Sequence, residues 1–231
     1  IALMLKCYNY NFTYVHRGFS FESAILDALL TGQESESANV LVGGIDELTD
    51  MYLEVTEKVG MWRKGSKEDT DFLKLKQSAN LPGEGAAFFM LGTEKTAETY
   101  AEIVGLKMLY KAESEEVERE ISAFLAEHNL TIEEIDVVCL GLNGSRKKDG
   151  IYHDLQETIF KNSNLTYFKH LCGEYKTATS FALWITAQIL KKQEIPTILK
   201  YQPFEIFTIK NILIYNKYAE ANHSLFLLKN A

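Results

Sequence analysis

The stretch that decides the fold is KHLCGEYKTATSFALWITAQIL, residues 169–190. Its second part is apolar almost all the way round, and this pattern predicts a helix over 177–193. A helix without a polar face is typical of the centre of a layered protein, so we expect it to be buried. On that expectation, replacing Trp184 by Asp would unfold the protein, because an unpaired charge would be buried.

The rest of the chain alternates helical and strand patterns, which is typical of an α/β protein with a mixed sheet. Strands are predicted at 39–42, 86–91, 103–110, 137–141, 212–215 and 225–228, and helices at 20–32, 46–59, 114–129 and 152–160. We expect the strands at 86–91 and 103–110 to be antiparallel neighbours. Residues 60–82 have weak periodicity and many charges, which predicts a long surface excursion.

Residues 8–15, YNYNFTYV, alternate aromatic and polar side chains. A period of two predicts a strand with Tyr8, Tyr10, Phe12 and Tyr14 on one face. Two alternatives follow. The strand is half-buried inside one domain, or it pairs with a second chain across a two-fold axis.

Composition excludes several classes of protein. The 231 residues, 46% of them hydrophobic, predict a packed globular chain, and no apolar run reaches the length of a membrane span. A net charge of −8 with scattered Lys and Arg argues against a nucleic-acid partner. Cys7, Cys139 and Cys172 lack paired spacing, so we expect reduced thiols in a cytoplasmic protein, with Cys7 buried. Neither a metal site nor a cofactor motif is visible, and we expect neither.

Five further segments carry a family resemblance. They are GFSFESAILDALLTG (18–32), VGGIDELTD (42–50), GEGAAFFML (83–91), LNGSRKKDG (142–150) and ILIYNKYAEANHSLFLL (212–228). With 169–190, their order and spacing resemble the β-ketoacyl synthases of the thiolase-like superfamily. The resemblance implies a thiolase-like α/β layered fold, with mixed sheets around buried central helices. It places the remainder of a first half at 1–92 and a second half at 93–231, and most of the first half is expected to be missing.

The same resemblance implies that the catalytic residues are replaced. The positions of the family's cysteine and two histidines hold Val15, Asn143 and Glu174, and a one-residue shift would put His16 at the cysteine position. A carboxylate at 174 would repel the enolate that forms during decarboxylation, where a neutral imidazole donates a hydrogen bond. The family's lysine is retained as Lys169, and we expect it to pair with Glu174.

Asn143 has two interpretations. Its side chain can still donate a hydrogen bond, so it would preserve part of an oxyanion site. Alternatively, Asn143 and Gly144 only form a turn, since Asn-Gly is a strong turn dipeptide.

The remaining pocket candidates are His16, Arg17, Lys169, His170 and Tyr218. The histidines, Arg17 and Glu174 would form either a general base with a carboxylate that orients it, or a structural polar network in an abandoned pocket. Tyr218 lies near the gate of the closing loop, residues 216–221, whose family glycines are absent. Entry of an acyl chain by the usual route is therefore not expected.

We therefore expect an interaction protein without condensing activity. It resembles the chain length factors that pair with active ketosynthases in polyketide or aryl-polyene synthesis. The expected partners are a second copy or an active ketosynthase, meeting it at residues 8–15, and an acyl carrier protein. The first alternative is a thiolase-superfamily acyltransferase or hydrolase that uses His16 or Glu174. The second is an orphan homodimer with a pocket for a small acid or acyl group.

Overall fold

A computed structural model describes residues 2–34, 39–62, 80–145, 148–219 and 221–231. The strands in these ranges are β1 (Asn39–Asp46), β2 (Gly85–Gly92), β3 (Ala101–Tyr110), β4 (Val137–Leu140), β5 (Leu165–Tyr167), β6 (Asn211–Tyr218) and β7 (Asn222–Asn230). The α-helices are α1 (Ser20–Glu34), α2 (Asp50–Lys58), α3 (Ser114–Glu127), α4 (Gly150–Glu157), α5 (Lys169–Cys172) and α6 (Thr179–Lys192). Most of the surface excursion predicted at 60–82 lies outside the described residues.

The strands form two sheets. β1 and β2 make an antiparallel pair, with Val42 opposite Phe89. The second sheet has the order β3-β7-β6-β4-β5, in which β4 is parallel to both β5 and β6 and the other pairs are antiparallel. The prediction that 86–91 and 103–110 are neighbours is therefore wrong. The partner of β3 is β7, more than a hundred residues further along the chain, and no local pattern specifies such a pairing.

The elements stack in four layers around two hydrophobic clusters. Helices α1 and α6 lie between the two sheets, where Phe21, Ile25, Ala182 and Leu183 pack against one face of β6 and β7. Helices α3 and α4 cover the other face of the five-stranded sheet. The alternation of side chains along β6 explains this arrangement, because successive residues of a strand point to opposite faces.

The inward face predicted for the helix at 114–129 is confirmed. Val117, Ile121, Phe124 and Leu125 of α3 are all buried. A capping box follows this helix, with the backbone N–H of Thr131 donating to the Glu134 carboxylate at 2.9 Å. Helix α1 continues past Gly32 to Glu34, two residues beyond its predicted end.

The central helix is less enclosed than its sequence predicts. Ala182, Leu183, Ile189 and Leu190 of α6 are buried, but Trp184 is 43% exposed and packs on Phe181. We attribute this to the first sheet, which has two strands in the described chain and leaves one side of α6 open. The premise of the Trp184→Asp expectation, burial of this side chain, is therefore wrong, and a charge at this position can reach water.

The strand predicted at residues 8–15 does not form within this chain. The segment has no regular secondary structure, and its side chains are exposed or half-buried. Rings two residues apart still meet: the ring centroids of Tyr10 and Phe12 lie 6.2 Å apart, and those of Phe12 and Tyr14 lie 5.1 Å apart. The strand prediction is therefore wrong for this chain, and the described part of the chain supplies no neighbouring strand.

Candidate functional site

The centre of the candidate site is a buried ion pair between Lys169 and Glu174, which are 0% and 3% exposed. The Lys169 Nζ lies 3.0 Å from each carboxylate oxygen of Glu174. It donates a further hydrogen bond to the carbonyl oxygen of Lys217 at 3.2 Å. All three protons of the ammonium group are therefore used, as burial of a charge requires.

Two side-chain amides complete the surroundings of the Glu174 carboxylate. Asn143 Nδ2 donates to Oε2 at 3.1 Å, and Asn80 Nδ2 donates to the same oxygen at 3.3 Å. The amide oxygen of Asn143 accepts the backbone N–H of Ser145 at 3.1 Å, so its NH₂ group is turned towards Glu174. Asn143 therefore does donate a side-chain hydrogen bond and does lie in a bend with Gly144, whose φ is 77°, but the donor is used by Glu174 and does not form an open oxyanion site.

The backbone of Glu174 is fixed by a second segment of the chain. Its N–H donates to the carbonyl oxygen of Leu81 at 2.8 Å, and its own carbonyl accepts the N–H of Gly83 at 3.1 Å. Gly173, with a φ of 74°, and Gly83 approach so closely that a Cβ on either would overlap the other's backbone. The side chain of Glu174 is thus presented to Lys169 from a rigid position.

A second carboxyl group, that of Asp149, lies beside this cluster and supports Asn143. Its Oδ1 accepts the backbone N–H of Asn143 at 3.1 Å. Burial raises the pKa of Asp149 to about 6, and its backbone hydrogen bonds and the nearby charge of Lys169 offset only part of that increase. Asp149 therefore links the loop that carries Asn143 to the start of α4.

A third carboxyl group is buried on α1. Glu22 is fully enclosed, and burial raises its pKa to about 7. The hydroxyls of Thr179 and Ser224 and the charge of Lys169 lower this pKa, but by less than burial raises it. Lys169 thus contacts the carboxylate of Glu174 directly, whereas its charge acts on Glu22 and Asp149 only from a distance.

Tyr218 closes the site from the end of β6. It lines a cleft of about 60 Å³ together with Glu174, Tyr175, Lys176, Tyr52 and Trp62. The turn that follows contains Ala219, whose φ of 54° is unusual for a residue other than glycine. The cleft has room for a few water molecules and is too small for a long acyl chain.

The other pocket candidates do not reach this cluster. Val15 is 94% exposed, and His16 and Arg17 are exposed as well. The ring of His16 stacks on Phe19, so the expected cluster of His16 and Arg17 with Glu174 is absent from the described contacts. The cause is the extended segment that precedes α1, which lies on the surface.

His170 follows Lys169 in sequence but has different surroundings. Its ring lies 4.1 Å, centroid to centroid, from the ring of Tyr167. Burial lowers the pKa of His170 to about 4, and a hydrogen bond with the backbone of Ile198 only partly offsets this. Residues 169 and 170 thus lie side by side on the one-turn helix α5, but only Lys169 contacts Glu174.

The three cysteines are all unpaired, and none is placed as a nucleophile beside this cluster. Cys7 is exposed, which contradicts its expected burial, because the N-terminal segment packs on no core. Cys139 is buried in β4, and Cys172 is half-buried at the end of α5. Burial raises the pKa of both thiols to about 12, so neither forms much thiolate near neutral pH.

The geometry determines what Glu174 can do chemically. Its two oxygens accept four hydrogen bonds from Lys169, Asn80 and Asn143. The donors that would stabilise an oxyanion are already used by the carboxylate, so the arrangement is closed to an incoming thioester.

Sequence reasoning missed three members of the site. Asp149 lies in the LNGSRKKDG segment, and Glu22 lies in the first turn of α1, where a carboxyl group is usually a solvated helix-end residue. Asn80 lies at the end of a stretch without periodicity. Of these three residues, only Glu22 could have been identified from the sequence, because it lies on the otherwise apolar inward face of α1.

The described residues contain neither a metal-ligand cluster nor a membrane-spanning helix. No group of three or more His, Cys, Asp or Glu side chains there is arranged to hold a metal ion. In the same ranges, no helix combines the length and apolar character needed to cross a membrane.

The layered arrangement of these elements is the thiolase-like fold of the ketosynthases, as the sequence resemblance implied. The chain is similar to a solved ketosynthase in complex with its chain length factor from Xenorhabdus doucetiae, with a TM-score of 0.78 and 16% identity over 100% of this chain. The ishigamide ketosynthase/chain length factor gives a TM-score of 0.76 and 16% identity, again over 100% of this chain. A β-ketoacyl synthase from Burkholderia phymatum gives 0.73 and 15% over 93%.

The likeness is confined to structure and to part of each neighbour. The chain spans 62%, 64% and 60% of those three proteins, in the order given. No protein-family model matches the chain, and no curated protein matches its sequence. At such low identity the comparison shows the fold, and activity has to be argued from the site.

Proposed function

We propose that this chain is a ketosynthase-like partner subunit of fatty acid or polyketide (aryl-polyene-like) biosynthesis, without condensing activity of its own. The observation that carries the proposal is the saturated Glu174 carboxylate at the expected position of a catalytic histidine. Neighbours of the same fold include ketosynthase complexes with a chain length factor and with an acyl-carrier protein. The three unpaired cysteines suit a reducing compartment such as the cytoplasm.

Decarboxylative condensation needs a thiolate and donors for an enolate oxygen, and the site offers neither. The position expected for the nucleophile holds Val15, whose side chain is in solvent. Lys169 and Asn143, which would stabilise an enolate, are used by Glu174. A second anion next to Glu174 would be repelled in a site of low dielectric.

Residues 8–15 are the surface that we assign to the partner. The segment has no strand partner in the described chain, and Tyr8, Tyr10 and Phe12 expose their rings. Backbone groups left without a strand partner are a template for an added strand. We propose antiparallel pairing with the equivalent segment of a second chain across a two-fold or pseudo-two-fold axis.

The occupant of this surface is, in our proposal, an active ketosynthase, and a second copy of this chain is the alternative outcome. An acyltransferase or hydrolase with His16 in place of cysteine has less support. His16 contacts Phe19 at the surface, and the structure does not bring it to Glu174. An orphan homodimer with a pocket for a small acid or acyl group has less support, because Glu174 already uses the donors beside Tyr218 and the cleft there is too small for a long acyl chain.

The absence of condensing chemistry is tested by intact-mass spectrometry. Purified protein is incubated with acyl and malonyl thioesters of an acyl carrier protein, and no acyl adduct and no condensation product are expected. An adduct on Cys7 or Cys172, or on any other side chain, would contradict the proposal and the assignment of Val15 to the nucleophile position.

The partner surface is tested by co-expression with a ketosynthase and by light scattering of the chain alone. Phe12→Ser removes a ring that is 65% exposed. Asn11→Pro removes a backbone N–H that would donate a hydrogen bond to the paired strand of the second chain. Both variants should lose the co-purifying partner or shift to monomer. Phe207→Ser is the matched control, because it removes a ring that is 92% exposed elsewhere on the surface. Retained association in both folded variants would place the interface elsewhere.

A further inference from the structure

We propose that Lys169, Asn80 and Asn143 form a carboxylate-binding site whose resident ligand is the chain's own Glu174. Removing the Glu174 side chain should leave a site that binds a small free monocarboxylate. In the native protein the site is occupied from inside, which excludes any free carboxylate from it. The inference concerns the interior and does not depend on the proposed partner surface.

The donors come from separate parts of the chain and converge on one carboxylate. Asn80 precedes β2, Asn143 follows β4, and Lys169 begins α5. Their nitrogen atoms lie between 3.0 and 3.3 Å from the carboxylate oxygens of Glu174. Lys169 approaches both oxygens at the same distance. The tertiary fold therefore assembles a receptor that a single local segment could not make.

Two of the three donors are held in place by contacts that do not involve Glu174. Lys169 Nζ is also bonded to the carbonyl oxygen of Lys217. The Asn143 side chain is oriented by the N–H of Ser145, and its backbone is held by Asp149. None of these contacts is made through the Glu174 side chain, so shortening that side chain should leave the receptor preorganised, and preorganisation lowers the cost of binding.

Electrostatics favours refilling of the vacated space by an anion. Lys169 is completely buried, and without Glu174 its ammonium group would lack the carboxylate that now contacts it. An uncompensated buried charge is costly, and a small carboxylate relieves that cost. The cleft beside Glu174 and Tyr218 gives a route from the surface, and its volume of about 60 Å³ suits a molecule of a few heavy atoms.

The length of the truncation predicts which carboxylate fits best. Glu174→Ala removes the equivalent of acetate, and Glu174→Gly removes the equivalent of propionate. The melting temperature of Glu174→Ala should rise saturably with sodium acetate by about 4 °C or more, compared with sodium chloride of the same ionic strength. In Glu174→Gly the preference should move by one carbon towards propionate. The wild-type protein should show no such difference between the salts.

The control is Glu174→Ala combined with Lys169→Met, which removes the cation and should abolish the response to acetate. An equal response of the single and double variants, or equal effects of acetate and chloride on the single variant, would overturn the proposal. If Glu174→Ala does not purify as a folded protein, urea-unfolded material is refolded in acetate and in chloride. A higher yield of soluble protein in acetate supports the site, and equal or absent yields contradict it.

Discussion

The interior around Glu174 and the surface segment at residues 8–15 contrast in composition and in environment. The interior holds charged and amide side chains that are almost completely buried. The segment holds aromatic side chains that are largely exposed. Each region reverses the usual distribution of polar and apolar residues, but in the interior every donor of Lys169 has an acceptor, whereas the segment has no strand partner in the described chain.

The polar groups around Glu174 therefore find their partners within the chain, whereas the segment at residues 8–15 keeps exposed surface that a second chain could cover. A buried polar cluster is tolerated when its groups are hydrogen-bonded, and it then fixes one arrangement of the segments that supply it. An exposed aromatic strand gains stability only when another surface covers it. The interior around Glu174 thus belongs to the stability of the single chain, and the segment belongs to association. The two can be separated by mutation.

The largest effect is expected for Lys169→Met. The substitution keeps most of the side-chain volume but leaves the Glu174 carboxylate buried without its cation, which typically costs about 3–5 kcal/mol. Urea unfolding followed by circular dichroism measures the loss. The double variant Lys169→Met/Glu174→Leu should recover part of it, because neither charge then remains. A single variant with wild-type stability would show that the pair is accessible to water.

A surface ion pair supplies the matched control for that experiment. Lys58 and Glu54 lie 2.6 Å apart on α2, and both side chains are exposed. Lys58→Met should leave the unfolding curve almost unchanged, since exposed pairs contribute little. Equal losses at Lys58 and Lys169 would remove the distinction between a closed interior and an ordinary surface.

The next effect is a pH dependence that comes from Glu22. Its pKa is raised by burial from 4.5 to about 7, so the folded state holds a proton that the unfolded state releases. The corresponding stability is fully present below pH 4.5 and is lost as the pH rises through 7. The change from a pKa of 4.5 to about 7 corresponds to about 3 kcal/mol.

Glu22→Gln tests this dependence, because its amide resembles the protonated acid. The variant and the wild type should have similar stability at pH 5, and the variant should be the more stable at pH 8.5. Asp149 contributes in the same direction, and His223, whose pKa is lowered by burial to about 4, contributes in the opposite direction. Both are shared by the two proteins, so the difference between the unfolding curves isolates Glu22. A difference that does not change with pH would refute the assignment.

The sequence predicted local features better than long-range ones. The strands β4 and β7, the buried face of α3 and the pairing of Lys169 with Glu174 depend on spacing within one segment or on the family resemblance. The pairing of β3 with β7 depends on residues far apart in sequence, and it was predicted wrongly. Strand order and register depend on how all the strands and helices pack in the core. A period-two pattern identifies a strand but does not specify its neighbour.

The site shows the same limit. Nothing near Asn80 indicates that its amide reaches Glu174, because the two residues are 94 positions apart. His16 lies four residues before the first residue of α1 and stacks on Phe19, yet its side chain is exposed, because the preceding segment packs on no core. The aromatic alternation at 8–15 brings Phe12 to the rings of Tyr10 and Tyr14, but the predicted strand is not formed, because the sequence pattern does not supply a neighbouring strand.

The smallest effect on stability is expected for Phe12→Ser, the variant that should most affect association. Phe12 contacts the rings of Tyr10 and Tyr14 and is otherwise exposed, so the free energy of unfolding of the isolated chain should change by no more than about 0.5 kcal/mol. Urea unfolding at low protein concentration measures the monomer, and light scattering of the same samples measures association. Loss of association with unchanged monomer stability would sharpen the contrast between the two regions. A large loss of monomer stability would show that the segment packs into the fold of its own chain, and the assignment of residues 8–15 to a partner would then fail.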